Sequence, residues 1–108
     1  MSALFLHCQF SHFDNGTIHT LSYNKDELFA VKQGFIHAVG TELSDENYDA
    51  ATDKIEAANS IEELKKLEIN YNSRFYRRVI RLRSIQHITE QEYNCLMKAN
   101  ENTEGWAY

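Results

Sequence analysis

The alternation of residues 4–23 around a single Asn-Gly dipeptide constrains this chain more than any other feature of its sequence. Asn15-Gly16 suits a tight β-turn, because both turn positions need positive φ, which Asn and Gly tolerate. If these two residues form the loop, Phe13 opposes Ile18, His12 opposes His19, Phe10 opposes Leu21 and Cys8 opposes Tyr23. Leu4, Leu6, Cys8, Phe10, Leu21 and Tyr23 then share a core face. His7, Gln9, Ser11, Thr20 and Ser22 make the opposite, polar face. A slip of one residue would mix the two sets, so the pattern specifies a hairpin over about 3–13 and 17–23.

After the hairpin the apolar spacing changes to that of helices. Asn24, with Glu27 three residues on, can start a helix over about 25–39. Its Leu28, Phe29, Val31, Phe35, Ile36 and Val39 fall within roughly 160° of arc, and Gly40 can stop it. The alternative is a second hairpin within 28–39 about Gln33-Gly34, which would give a four-stranded antiparallel sheet. Ser44 can cap a helix over about 45–58, with Tyr48, Ala51, Ile55 and Ala58 on its apolar side. Ser60 with Glu63 forms a capping box for a helix over about 61–84. Its Ile61, Leu64, Tyr71, Phe75, Val79 and Leu82 keep helical spacing, and a break falls near 70–73, where Asn and Ser are poor helix formers. Thr89 with Glu92 starts a final helix over about 90–100. Residues 101–108 form an irregular tail, whose Trp106 and Tyr108 are expected to dock on the body. With no proline and four glycines in 108 residues, no linker divides the chain. The expectation is one α+β domain over 1–108, a hairpin packed on about four helices.

The N-terminus has no basic region followed by a long apolar run, and no stretch approaches the roughly 18 apolar residues of a membrane span. Cys8 and Cys95 form no spacing motif and read as two reduced, packed thiols. A cytoplasmic protein without membrane contact follows.

The net charge of −5 conceals segregation. All five arginines lie in 70–88, which has no acid, whereas 25–69 holds eleven acids against five lysines. On a helix, Arg74, Arg77, Arg78 and Arg81 would share an arc of about 100°, a row suited to carboxylate or phosphate, with Arg83 pointing elsewhere. Asp45, Glu46, Asp49, Asp53 and Glu56 share a similar arc opposite Tyr48, Ala51 and Ile55. Like charges at that spacing repel by a few tenths of a kcal/mol per pair, and Lys54 lies off the stripe.

No nucleotide-binding, zinc-protease, dithiol or nucleophile-elbow motif occurs. His12 and His19, opposed across the hairpin, are weak metal candidates, and no cofactor and no catalytic group is expected. The sequence therefore points to a non-enzymatic regulator or inhibitor of a partner protein, acting through charged helical surfaces. By composition this resembles small phage or mobile-element factors that block a host nucleic-acid-binding or defence protein. Direct nucleic-acid binding by the arginine row is the alternative, and a homodimer is open to either surface.

Overall fold

Burying one face of a β-ribbon against an amphipathic helix organises this chain, and the rest of the sheet extends that contact. A computed structural model describes residues 3–12, 16–73, 76–99 and 106–107. In chain order the elements are β1 (Leu4–Ser11), β2 (Thr17–Asn24), α1 (Glu27–Gly40), α2 (Asp45–Ala57), α3 (Ile61–Lys66), β3 (Glu68–Ser73), β4 (Tyr76–Ile88), α4 (Glu90–Ala99) and β5 (Trp106–Ala107). The strands form one sheet in the order β3-β4-β1-β2-β5. Neighbours among the first four are antiparallel, and β5 runs parallel to β2. The α+β class is as expected. Among the described residues, no helix is long and apolar enough to cross a membrane.

The expected helix over 61–84 is corrected: it ends at Lys66, and its remainder is the hairpin of β3 and β4. Ser60 does cap α3, its Oγ accepting from the Glu63 N–H at 3.2 Å, while the Glu63 carboxylate accepts from the Asn59 N–H. Beyond Leu67 the apolar residues obey a shorter period. Ile69 and Tyr71 on β3, with Ile80 and Leu82 on β4, are buried on one face. Pairing these strands satisfies every second side chain, which a solitary helix there could not do. Residues 28–39 are helical, so the second hairpin arises at 68–88 and the four-stranded antiparallel sheet forms from there.

The first hairpin also differs in register. Phe10 pairs with Ile18, Cys8 with Thr20 and the last pair is Ser11–Thr17. The His12 N–H donates to the Gly16 carbonyl at 3.2 Å, so the connection is longer than the two-residue Asn15-Gly16 loop. Phe13 and Asn15 lie outside the described residues. The physical reason is the seat of α1. This register places Leu6, Cys8 and Phe10 beside Ile18, Thr20 and Ser22, all buried under the helix. Small side chains on β2 let α1 come close. Ser22 Oγ donates to the Ala30 carbonyl at 2.8 Å, and a Cβ added to Gly34 would lie 2.7 Å from Thr20 Oγ1. Tyr23, expected in the core, is instead 55% exposed on the other face. There it stacks on Phe5 at 5.6 Å between centroids, with Tyr93 of α4 tilted against Phe5 at 5.1 Å.

Caps account for the helix limits. Asp26, rather than Asn24, caps α1 by accepting from the Phe29 N–H, and Asn24 accepts from the Asp26 N–H. Thr89 and Glu92 exchange reciprocal bonds of 3.0 and 3.1 Å at the start of α4. In the tail, Trp106 and Ala107 pair with His19 and Thr20 as β5, so 101–108 is not wholly irregular.

Both cysteines are free, but only Cys8 is packed, and Cys95 is exposed. Burial pushes the Cys8 thiol up to about 12. In a thiol-labelling assay Cys95 should react in the native protein and Cys8 only in denaturant. Two equally fast thiols in the native state would refute this placement of β1.

Candidate functional site

The helices α1, α2 and α3 lie on one face of the sheet, with Ala51 and Ile55 of α2 and Leu64 of α3 joining the core of α1. That contact fixes which side of α2 meets water. Asp45, Glu46, Asp49, Asp53 and Glu56 are all exposed, and among the described residues none of them forms an ion pair. At about 1.5 Å per residue, they span roughly 16 Å of helix. Ser44 occupies the cap position without a side-chain bond, and Asp45 follows in the left-handed region at φ 53°. Lys32, the cation near the other end, donates to the Glu56 main-chain carbonyl at 2.8 Å rather than to a carboxylate. Among the described residues, the carboxylates of the rail are thus left without an ion-pair partner.

The arginines are distributed differently from the expected row, because 76–88 is a strand. Arg81 pairs with Ser11 and Glu68, and Arg77 with Asn72, on the face away from the helices. Arg78 pairs with Tyr71 on the helix side. Arg74 lies outside the described residues. Between Leu82, opposite Phe10, and Ser84, opposite Gln9, the register shifts, and Arg83 is the extra residue. A bulge of this kind leaves two successive residues on one side. Arg83 thereby joins Arg77 and Arg81 on the open face, although helical spacing set it apart from them. Among the described residues the acid paired with them is Glu68, with its Oε1 3.8 Å from Arg81 Nε and both side chains about half exposed. Such a pair contributes about 0–1 kcal/mol. The acidic rail and these arginines thus face solvent from opposite sides of the fold, and no ion pair joins them among the described residues.

The expected His12–His19 pair is also corrected, since the register moves the two apart. His19 meets His7 instead, Nδ1 to Nε2 at 3.1 Å, with the rings stacked. Burial lowers the pKa of both, which favours neutral rings, one donating its N–H to the unprotonated nitrogen of the other. Among the described residues, no group of three His, Cys, Asp or Glu side chains could hold a metal ion.

His12 forms a cluster that sequence reasoning missed. Its Nε2 lies 2.7 Å from Tyr71 Oη and 2.9 Å from Glu42 Oε1, joining β3, the hairpin end and the segment after α1. Burial, reinforced by the Glu42 carboxylate and opposed by Arg78, pushes the Tyr71 phenol up to about 12. Tyr71 therefore remains a hydrogen-bond donor at neutral pH and serves as a tie rather than a nucleophile. No local motif could reveal the cluster, because its members come together only through the β3–β4 hairpin. A concavity of about 480 Å³ runs past Phe29, Ile36 and His37 on α1, with Lys32 already bonded as described.

Compared with known proteins, the chain matches no family model, no curated sequence and no solved structure.

Proposed function

We propose that this chain is a small, cytoplasmic, non-enzymatic regulator or inhibitor that binds a partner protein through the acidic side of α2. One observation carries the reading: five carboxylates stand exposed along one helix with no ion pair among the described residues, and the opposite side of that helix is fixed in the core. Their mutual repulsion is a standing cost, and a basic partner surface would relieve it. One-signed rows also steer encounter and exclude wrong partners. The matching surface is a basic groove of the kind a protein presents to nucleic acid, so occupancy would block that ligand. Host defence and nucleic-acid-binding proteins offer such grooves, in keeping with a phage or mobile-element factor.

The test is affinity capture from a lysate of the source cells, with Asp49→Lys and Asp53→Lys combined in one variant. Reversal should weaken capture of the specific partner by about tenfold or more, while the circular dichroism spectrum stays unchanged. Undiminished capture by the folded variant would remove the rail from the interface.

A further inference from the structure

We infer that the open half of the sheet face, along β4, is a docking surface for single-stranded nucleic acid. This goes beyond the acidic surface of α2 and uses the opposite side of the fold. Arg77 and Arg81 lie four residues apart on one strand, about 13 Å at roughly 3.3 Å per residue, and the bulge adds Arg83 to the same face. All three are exposed. Helix α4 meets the far end of this face, where Tyr93 touches Phe5 and Tyr23.

The side chains around the arginines select the class of partner. Asn72 stands beside Arg77 and is exposed, while Gln86, two residues beyond Ser84 on the open side, is exposed but bonded to the His7 ring. Carboxamides bond base edges, and guanidinium groups bond phosphate or stack on bases. Among the described residues, Val79, only partly buried, is the apolar side chain between these arginines, and no large aromatic or aliphatic anchor of the kind that dominates protein interfaces stands beside it. A flat sheet face also fits a strand laid across it with its bases turned inward, whereas a duplex groove fits a protruding helix or ribbon. The acids of α2 do not cancel this field. They stand on the solvent side of a helix about 10–12 Å across, beyond the sheet. That distance exceeds the Debye length of about 8 Å at physiological salt.

Fluorescence anisotropy with a labelled oligothymidylate, and with the same oligomer annealed to its complement, tests the proposal on the full chain. Three phosphate contacts on a single strand predict a log-affinity against log-salt slope of about −2, or roughly twentyfold weaker binding between about 50 and 200 mM salt. Arg77→Ala, Arg81→Ala and Arg83→Ala together should weaken binding by about tenfold or more. Arg78→Ala, on the helix side, should change it by less than about threefold. Glu68→Gln removes the acid that pairs with Arg81 and should strengthen binding about twofold, a gain that misfolding cannot mimic. The Asp49→Lys, Asp53→Lys variant should bind the oligomer at least as well as the native chain, so the two surfaces are tested separately. No binding at about 50 mM salt, equal losses from Arg78 and from the triple variant, or tighter binding of the duplex would each overturn the proposal.

Discussion

Replacing Phe35 with alanine is expected to lower the unfolding free energy by about 3–5 kcal/mol. The ring is fully buried and lies tilted against Phe10, centroid to centroid 4.9 Å, where α1 crosses β1. Removing it takes a large apolar surface out of the core and leaves a cavity that the sheet on one side and two helices on the other cannot close. A domain of this size commonly has about 5–15 kcal/mol of stability in all, so the loss is a large share of it. The melting temperature should fall by roughly 10–20 °C, read by circular dichroism at constant pH. Phe29 supplies the contrast. It lies on the same helix but is 57% exposed, and Phe29→Ala should change stability by no more than about 0.5 kcal/mol. Equal effects at the two positions would mean that α1 presents a different side to the sheet.

The second large effect concerns how closely α1 approaches β2. In a solvated helix, Gly→Ala gains about 1 kcal/mol. At Gly34 the added methyl would sit 2.7 Å from Thr20 Oγ1 and 3.9 Å from Cys8 Cβ. Thr20 is β-branched, buried and held on a central strand, so it has little room to yield. Overpacking of that kind costs about 1–3 kcal/mol, and Gly34→Ala should therefore destabilise rather than stabilise. Adding Thr20→Ala to the same chain removes the obstructing hydroxyl. The pair should show a coupling of about 0.5–3 kcal/mol in a double-mutant cycle by denaturant unfolding. A single Gly34→Ala variant that is more stable than the native chain would show that the helix stands farther off the sheet.

These two positions also show what could be read from the chain before folding. Phe35 and its neighbours on α1 follow a helical period, and the caps at Ser60 and Thr89 work through the residues their motifs name. The acids of α2 could be placed because their helix has an apolar side of its own. Residues 67–84 could not be read in the same way. Leu64, Tyr71, Phe75, Val79 and Leu82 fit a period of 3.6, while Ile69, Tyr71, Ile80 and Leu82 fit a period of 2. Only pairing with β1 decides between them, and that pairing is long-range. Asn70-Tyr71-Asn72-Ser73, a weak place in a helix, was the local sign that a strand was available. The hairpin register departs from that of a two-residue loop for a related reason. Asn15-Gly16 favours a tight loop, but a turn contributes less than the burial of Phe10 with Ile18 and the seating of a helix on Thr20 and Ser22. The arginines follow the same competition, since a strand sorts Arg77, Arg78 and Arg81 by alternation and a helix does not.

The irregularity at Arg83 has a consequence for β4 that is independent of charge. Ile80 and Leu82 face the helices, and so does Ile85, which pairs with Cys8. Two of these positions are even and one is odd, so a strand of uninterrupted alternation could bury one part of β4 only by turning the other part outward. What position 83 supplies is therefore a unit of length. Many side chains there would preserve the fold, but a chain one residue shorter would have its two apolar segments out of phase.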